Sequence, residues 1–352
     1  MAPKILAVAK ALPPYSRSTA EILPRVEAWL AQQGMGERDR RKVLRIFQYA
    51  QVERRYAIMD EEEVFTETSF EDKNQRFIQA SIELGRAALE QALAQASLQP
   101  QDLDFIITVS CTGFMIPSLD AYLINQLEMR QDIVRLPVTE MGCAAGTSAL
   151  IYADQFLRAN PGKRAAVIAV EAPTATFQHR DLRMTNMVSA AIFGDGAACA
   201  ILGPSDEVRP IIRDTDMYHY YDALHFMGYT VRNTGFEMVL DITVPEEIEK
   251  HFPDILHPFL QRNGLTVAEI DHFIFHPGGK KIVQMVEGLL HDLGKDIDDS
   301  KAVLRDYGNM SSATVLYVLE RCLAKQPQAG EHGLMLAFGP GFSAQRLLLE
   351  WG

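Results

Sequence analysis

The sequence predicts an α/β protein made of two similar halves, with sheets and helices arranged in layers. Segments typical of strands alternate with segments of helical periodicity along the 352 residues. Three motifs of the first half also recur, in the same order, in the second half. With 47% hydrophobic residues the chain can bury a large core. We therefore expect helices both outside the sheets and between them.

The predicted elements of the first half follow one another closely. A strand is expected near residues 4–9, and the capping box formed by Ser18 and Glu21 predicts the start of a helix. A long amphipathic helix is predicted around residues 74–96. The remaining predicted elements are a strand at 103–110, a helix near 145–158, a strand at 164–172 and, behind the turn "FGDG", a strand at 196–203.

The repeat consists of three pairs of segments. These are "LQPQDLDFIITVSCTG" (98–113) with "LTVAEIDHFIFHPGG" (265–279), "MGCAAGTSAL" (141–150) with "YGNMSSATVL" (307–316), and "FGDGAACAIL" (193–202) with "FGPGFSAQRLLL" (338–349). One such pair could arise by chance, but three pairs in one order indicate an internal duplication. We place the boundary between the two domains near residue 205, which gives residues 1–205 and 206–352.

Duplication predicts a site where the halves meet. Equivalent turns facing each other across a pseudo-twofold axis would bring Cys143 and Asn309 to one buried centre. A cysteine at the start of a helix lies near unpaired N–H groups, which lower its pKa and favour the nucleophilic thiolate. A lone cysteine is more often a small buried apolar residue. The match between Cys143 and Asn309 favours catalysis.

His276 is the third candidate catalytic residue. It ends the strand "HFIFH" and precedes Pro-Gly-Gly, a position where functional side chains are common. Beside a thiol it would accept a proton, and the amide of Asn309 would donate a hydrogen bond to an oxyanion. Alone, such a histidine is more often structural, and an asparagine at a helix start is usually an N-cap.

Composition excludes several classes of protein. The four cysteines have no metal-ligand spacing and lie in apolar or small-residue surroundings, which favours reduced thiols and a cytoplasmic location. No apolar run reaches the about 18 residues of a membrane span. The net charge of −12 disfavours nucleic acid as a partner. Segment 38–55 nevertheless carries seven Lys and Arg residues, typical either of a solvated helix face or of a phosphate-binding surface.

Taken together, these motifs resemble the type III polyketide synthases, the chalcone-synthase-like branch of the thiolase superfamily. The likeness extends from residue 4 to residue 351, and the stretch "SCTGFMIPSLDAYLIN" is more similar to the bacterial members than to the plant ones. Its marks are "MGCAAG", "FGDGAA", "HPGG", "YGNMSSATVL" and "FGPG". The resemblance implies a duplicated, thiolase-like αβαβα layered fold with two pseudo-twofold-related halves.

The resemblance also implies a reaction. Cys143 would take an acyl group from a CoA thioester, and His276 would keep the thiol ionised. His276 and Asn309 would bind the thioester carbonyl of malonyl-CoA while it loses carbon dioxide. The enolate formed would then extend the acyl chain by two carbons. Acyl-CoA and malonyl-CoA would be the substrates, and neither a metal nor a redox cofactor would be needed.

Other residues take roles from the resemblance, one position at a time. Phe193 and Phe236 match paired gatekeeper phenylalanines between the CoA tunnel and the reaction cavity, although two core aromatics would look the same. Ile116 would reach into the neighbouring subunit's cavity, which implies a homodimer. The expected cavity-lining residues are Cys111, Thr112, Thr176 and Ser311. The expected CoA contacts are Lys42, Arg45, Lys280 and Lys281, while a third lysine of the family is Tyr49 here.

The starter and the product are the open questions. The small residues Ala144, Ala145 and Gly146, with the bacterial character, favour a fatty acyl starter and an alkylresorcinol or alkylpyrone product. One alternative is a malonyl-CoA-only tetrahydroxynaphthalene synthase, although Thr176 stands where those members carry a cysteine. Another is a condensing enzyme like ketoacyl-ACP synthase III. A non-catalytic thiolase-like subunit is disfavoured because all three reactive residues are present.

Overall fold

The computed structural model describes residues 2–291 and 293–352. The strands are β1 (Lys4–Ala11), β2 (Tyr15–Ser18), β3 (Arg54–Ala57), β4 (Phe105–Ser110), β5 (Val134–Thr139), β6 (Ala165–Glu171), β7 (Gly196–Gly203), β8 (Pro210–His219), β9 (Met227–Arg232), β10 (Gly235–Leu240), β11 (His272–Phe275), β12 (His332–Gly339) and β13 (Ser343–Trp351). The helices are α1 (Thr19–Gln32), α2 (Glu37–Tyr49), α3 (Glu61–Val64), α4 (Phe70–Gln95), α5 (Leu119–Gln126), α6 (Ala145–Ala159), α7 (Met184–Ile192), α8 (Val244–Arg262), α9 (Lys280–His291), α10 (Asp298–Tyr307) and α11 (Thr314–Ala324).

The strand order repeats between the two halves, as the sequence predicts. Nine strands form one sheet in the order β5-β4-β6-β7-β1-β8-β13-β12-β11. In the first half β7 is antiparallel to β6, and β6 is parallel to β4. In the second half β13 is antiparallel to β12, and β12 is parallel to β11. The halves join where β1 pairs with β8, between Lys4 and Ile211.

The repeat extends to individual hydrogen bonds. Asp104 precedes β4 and accepts a bond from the Arg164 amide at 2.9 Å, and Asp271 precedes β11 and accepts one from the His332 amide at 2.9 Å. The two aspartates are equivalent in the sequence repeat. Each accepts a hydrogen bond from the amide at the beginning of the parallel neighbouring strand, which is β6 in the first half and β12 in the second. This agreement in atomic detail confirms the duplication.

Alternating side chains on each strand divide the core into layers. In β6, Val167 faces the central core beside α6, and Ile168 faces the outer core beside α4. In β12, Met335 faces the same central core, and Leu336 faces a second outer core beside α8. Successive strand residues point to opposite faces of a sheet. The strands of the first half therefore separate the central core from the outer core beside α4, and the strands of the second half separate it from the outer core beside α8. The result is the predicted αβαβα layering, with α6 and α11 in the centre.

The predicted elements of the first half are found close to their expected bounds. The capping box is present, since the Ser18 amide donates to Glu21 Oε2 at 2.6 Å and the Glu21 amide donates to Ser18 Oγ at 3.2 Å. The connection between β7 and β8, residues 204–209, contains the proposed boundary at residue 205. Within the described ranges, no helix combines the length and apolar character needed to cross a membrane.

Candidate active site

A cavity of about 1040 Å³ lies where the two halves meet. Cys143 reaches its wall from the first half, and His276 and Asn309 reach it from the second. The three side chains that the sequence repeat and the strand pattern single out therefore share one cavity. Most of the other wall residues are apolar, among them Ile46, Met184, Val188, Ile192, Met227, Met238 and Leu240.

Cys143 lies in a single 3₁₀ turn, residues 142–144, that leads directly into α6. Gly142 has φ +52°, and a Cβ at this position would lie 2.5 Å from Pro340 Cδ. Glycine is needed there because a side chain would be strained and would also push away the "FGPG" loop. The turn that presents the thiol is thus locked against the second half.

The thiol pKa differs from the sequence expectation. Burial raises the pKa of Cys143 to about 11, while hydrogen bonding from Ser311 and Asn309 opposes the shift. The expectation of a lowered pKa at the helix start was wrong. Burial removes the thiolate from water, and the free energy that this costs exceeds the stabilisation that the nearby hydrogen-bond donors provide. The thiol is therefore neutral at pH 7 unless a neighbouring group accepts its proton.

His276 is held by its backbone, and its ring is free. Its amide donates to the Leu336 carbonyl at 2.9 Å, which continues the pairing of β11 with β12. The side chain is buried, and in the described part of the chain neither ring nitrogen has a hydrogen-bond partner. Burial lowers the pKa of His276 to about 3. A buried imidazole without partners is costly, which is typical of a group that hydrogen-bonds only to a bound ligand.

Asn309 is oriented by three contacts. Its Oδ1 accepts bonds from the Ser311 amide at 2.8 Å and from Thr314 Oγ1 at 3.3 Å. Its Nδ2 donates to the Gly278 carbonyl at 3.1 Å. The amide oxygen is thus committed, and the second Nδ2 hydrogen is available to the Cys143 sulfur or to a ligand in the cavity. The N-cap position of the 311–313 turn is Met310, and Asn309 accepts the Ser311 amide from one residue further back. This contact is compatible with donation into the cavity.

The second cavity thiol, Cys111, is coupled to Ser311. Their side-chain atoms Sγ and Oγ lie 3.3 Å apart, and both residues line the cavity. Burial raises the pKa of Cys111 well above its usual value, and the nearby Glu171 carboxylate adds to the shift. Cys111 is therefore a neutral thiol in the resting site, as expected for a residue that fills the wall.

Glu171 is a site residue that the sequence analysis missed. It ends β6 fully buried, and its carboxylate accepts bonds from Thr112 Oγ1 at 2.7 Å, the Cys111 amide at 3.1 Å and Ser312 Oγ. It therefore ties the end of β4 to the 311–313 turn of the other half. The available signal was a single carboxylate closing the apolar strand "AAVIAVE", since a buried Glu needs partners.

The two predicted gatekeepers both line the cavity. Phe193 follows α7, and its backbone bridges to Asn309 of the other half. Phe236 lies on β10 and contacts Phe114 and Tyr229, with ring centroids 5.1 Å and 5.6 Å apart. The β9–β10 hairpin, which was not predicted as an element, covers one side of the cavity with residues 227–231 and 238–240.

Several predicted positions lie elsewhere. Thr112 is buried beneath Glu171, and Thr176 lines a smaller neighbouring pocket, so neither belongs to the described wall of the main cavity. The Thr112 hydroxyl donates to Glu171 at 2.7 Å, and the Thr176 hydroxyl donates to the Pro173 carbonyl at 2.8 Å. Ile116 is 99% exposed on the loop before α5.

Of the four predicted cationic residues, Lys42, Lys280 and Lys281 line the cavity. Arg45 is exposed on α2 and is not among the described wall residues. Tyr49 occupies the position of the third expected lysine, and its ring lies 5.4 Å from Lys280 Nζ. Lys280 thus places a positive charge over the residue that replaces the missing lysine.

Two domain models of one sequence family together match nearly the whole chain. Residues 2–206 match the N-terminal domain of the chalcone and stilbene synthases, and residues 222–351 match the C-terminal domain of the same family. The chain is 33% identical to a 1,3,6,8-tetrahydroxynaphthalene synthase of Streptomyces peucetius subsp. caesius, over 99% of this chain and 93% of that protein. It is 32% identical to a phloroglucinol synthase of Pseudomonas fluorescens, over 87% of this chain and 88% of that protein.

Solved structures give the same result. The fold is similar to that of the 1,3,6,8-tetrahydroxynaphthalene synthase of Streptomyces coelicolor A3(2), described as a bacterial type III polyketide synthase, with a TM-score of 0.92, 29% identity and 99% coverage of both chains. It is also similar to PKS-I of the brown alga Ectocarpus siliculosus, with a TM-score of 0.90, 25% identity and coverage of 100% of this chain and 98% of that one.

Proposed function

The chain belongs to the chalcone and stilbene synthase family and is a type III polyketide synthase, and from this membership we propose that it extends a fatty acyl-CoA starter with malonyl-CoA. The observation that carries the proposal is the meeting of Cys143, His276 and Asn309 in one large, mainly apolar cavity. An acyltransferase that performs decarboxylative condensation needs a nucleophile, a proton acceptor and oxyanion donors together.

In the proposed loading step, Cys143 attacks the thioester carbonyl of the starter. His276 accepts the thiol proton, the C–S bond to CoA breaks, and the departing CoA thiolate takes that proton back. Both buried groups are neutral before and after the step. The imidazole is suited to this transfer because its two ring nitrogens have no competing partners in the described part of the chain.

In the proposed extension step, the neutral His276 ring and Asn309 Nδ2 donate to the thioester oxygen of malonyl-CoA. The carboxylate leaves as carbon dioxide, and its bonding electrons form an enolate held by the two donors. The enolate carbon then attacks the acyl carbonyl on Cys143, which releases the thiolate. One preorganised oxyanion donor contributes about 3 kcal/mol to such a step.

The size and the lining of the cavity support a fatty acyl starter. Its volume of about 1040 Å³ is at the upper end of the range for small-molecule sites. Most of its wall is apolar, which suits an alkyl chain. The proposed products are an alkylresorcinol or an alkylpyrone.

A second candidate is favoured by the relatives. Two of them are named for the hydroxylated aromatic products tetrahydroxynaphthalene and phloroglucinol, and neither name includes an alkyl chain. A synthase that uses malonyl-CoA alone is therefore the alternative to the fatty acyl starter.

The test uses purified protein with malonyl-CoA, with and without acyl-CoAs from acetyl-CoA to palmitoyl-CoA, and mass spectrometry of the products. The expected result is an alkylated product whose mass follows the starter, with a rate highest for long chains. An equal rate of aromatic product from malonyl-CoA alone would reject the fatty starter in favour of the second candidate. The Cys143→Ala variant should release carbon dioxide from malonyl-CoA but make neither product.

Further proposals concern binding and assembly. Lys42, Arg45, Lys280 and Lys281 are proposed to bind the CoA phosphates, since three of them line the cavity and the chain is otherwise acidic. We propose that no metal or redox cofactor takes part. We also propose a cytoplasmic homodimer.

A further inference from the structure

A second pocket, of about 120 Å³, lies behind the gatekeeper Phe193. Its walls come mainly from elements of the first half, namely α1, α2, α3, α7, β2, β3 and the 173–176 turn, and Met238 of β10 is contributed by the second half. Phe193 and Met238 are shared between this pocket and the reaction cavity, so they form the partition between the two. Thr176, expected in the main cavity, belongs to this pocket instead.

A cluster of aromatic rings forms part of the inner surface of the pocket, beside aliphatic and polar side chains. Trp29 lies at its centre, with ring centroids 5.3 Å from Phe177 and 5.8 Å from Phe65. Phe47, Phe193 and the partly exposed Tyr15 complete the set. The volume is close to that of engineered apolar cavities of about 150 Å³ that bind benzene. The shape and lining therefore suit a single planar ring.

Arg55 places a buried positive charge in this aromatic wall. It is 7% exposed, with Nη1 donating to the Ala190 carbonyl at 2.8 Å and Nη2 donating to Thr19 Oγ1 at 3.0 Å. Its Nε has no hydrogen-bond partner, and no carboxylate among the described residues forms an ion pair with it. Its guanidinium carbon lies 5.4 Å from the centroid of the Phe47 ring. Two of five donors are thus used, and neither acceptor is charged.

The lack of a counter-ion sets Arg55 apart from a comparable residue. Arg346 is equally buried, at 4% exposed, and pairs with Asp216 at 2.8 Å. A buried cation without a counter-ion is expensive. Burial accordingly lowers the pKa of Arg55 to about 10. Such a residue is retained at less cost if an anion binds beside it.

The other charged side chains of the pocket balance one another. Arg17 and Glu61 lie in its wall, with Nε and Oε2 3.6 Å apart, and both are partly exposed. Arg55 therefore leaves the interior with one uncompensated positive charge. The pocket combines an aromatic box with a cationic side chain, which is complementary to an aromatic acid.

We propose that this pocket binds a small aromatic acid, with its ring among Trp29, Phe47 and Phe65 and its carboxylate on Arg55. The ligand would contact Phe193 from the side opposite the reaction cavity. Its site is thus separate from the cavity that holds Cys143. The inference stands whether the starter is a fatty acyl-CoA or malonyl-CoA.

The test uses tryptophan fluorescence, because the chain has two Trp residues and Trp29 lies in the pocket. Trp351 is buried in the central core and serves as a constant signal. Benzoate is titrated into the protein, and its neutral isostere benzamide is titrated as the control; calorimetry supplies a second measurement. Benzoate is expected to quench fluorescence and to bind about tenfold more tightly than benzamide.

Two variants test whether the Arg55 guanidinium is the group that binds the benzoate carboxylate. Arg55→Met should weaken benzoate binding about tenfold and leave benzamide unchanged. The neighbouring Arg54→Met, which removes an exposed guanidinium bound to Ser16 Oγ, should change neither. If Arg55→Met does not fold, the benzoate-to-benzamide ratio of the unaltered protein still decides the question.

Four outcomes would overturn the proposal, and the first three concern benzoate. They are equal affinity for benzoate and benzamide, unchanged benzoate affinity in the Arg55→Met variant, and loss of benzoate binding when Cys143 is alkylated, since the last would place the ligand in the reaction cavity. Tighter binding of hexanol than of benzoate would likewise reject an acid and identify a plain apolar pocket.

Discussion

Cys143 and His276 are both buried in the cavity wall, and burial acts on their protonation in opposite directions. It raises the pKa of the thiol to about 11 and lowers the pKa of the imidazole to about 3. Between these values each group alone is neutral. A thiolate at pH 7 therefore requires the imidazole to take the proton, so that one buried charge is compensated by the other.

This dependence predicts how His276→Ala changes the reactivity of Cys143. At pH 7 the rate of alkylation by iodoacetamide should fall at least tenfold, because the thiol loses its proton acceptor. Between pH 7 and pH 10 the rate should rise about tenfold per pH unit, since the thiolate fraction of a group with a pKa of about 11 grows in that way. Mass spectrometry of the labelled peptide measures the rate. A flat pH profile in the variant would contradict the prediction.

Glu171 carries a second prediction. In Glu171→Gln the donors of Thr112, Cys111 and Ser312 lose a shared carboxylate, and the amide NH₂ group faces some of them instead. The expected cost is about 1–3 kcal/mol of unfolding free energy. Glu171 holds Ser312, and the amide of the preceding Ser311 donates to Asn309 Oδ1. A shift of this turn would misplace the Asn309 amide, so decarboxylation of malonyl-CoA should also slow about tenfold.

Thermal unfolding and release of carbon dioxide measure the two effects of Glu171→Gln. The control is Glu90→Gln on α4, which removes one exposed ion pair with Arg86 and should change stability by less than about 0.5 kcal/mol. A decarboxylation rate equal to that of the unaltered protein would show that Glu171 does not position Asn309.

The residues that the sequence predicted share one property: each stands in a motif with a counterpart or a distinctive neighbour. Cys143 and Asn309 are matched by the repeat, and His276 precedes Pro-Gly-Gly. Glu171 and Arg55 have no counterpart in the repeat, and the signals they carry, a carboxylate closing an apolar strand and a place at the end of the basic segment 38–55, do not specify a role. Their importance arises from three-dimensional surroundings that bury them, and burial of one polar side chain at a strand end is not encoded in local periodicity.

At the scale of elements, α6 approaches the 311–313 turn, which precedes α11, so closely that glycine is required at the contact. A Cβ at Gly146 would lie 2.2 Å from the Ser312 carbonyl oxygen. Gly146→Ala must therefore displace the 311–313 turn. We expect the unfolding free energy to fall by about 1–3 kcal/mol and the condensation rate to be lower. In exposed Gly288 of α9 a Cβ would meet nothing within 4 Å, so Gly288→Ala should gain about 0.5–1 kcal/mol.

Differential scanning calorimetry compares the two glycine variants. The prediction concerns the sign of each change as well as its size. A melting temperature for Gly146→Ala at or above that of the unaltered protein would show that the two halves can separate at this contact without cost.

Elements in the core were predictable, and those around the cavity were not. The strands β4, β6 and β7 are continuous apolar runs bounded by turn residues, which is the strongest pattern for buried strands. The β9–β10 hairpin mixes polar and apolar residues without a regular alternation, and consecutive residues of both strands line the cavity. The equivalent glycines 142 and 308 both have positive φ, at 52° and 76°, yet α11 begins at Thr314, three residues later than the repeat with α6 implies.

At the scale of the whole molecule, duplication explains why the site is where it is. Each half contributes a strand-to-helix turn to the same central layer, so the catalytic candidates meet at the junction and do not lie within one half. The cavity wall formed by this packing also includes the cationic side chains of Lys42, Lys280 and Lys281. A chain with a net charge of −12 thereby offers anionic thioesters a local positive surface.

The proposed homodimer gives the last prediction. Ile116 is 99% exposed, and Phe114, two residues earlier, is 44% exposed. Val134 is 47% exposed, and it precedes Arg135, which donates to Ser118 in the same loop. A partner subunit would cover these apolar side chains. Ile116→Asp would bury a charge in that interface and should shift the protein toward monomer by sedimentation velocity. Val208→Asp, at a position 52% exposed in the β7–β8 connection, is the matched control and should leave the sedimentation coefficient unchanged. If Ile116→Asp and the unaltered protein sediment alike at micromolar concentration, this loop does not contribute to assembly.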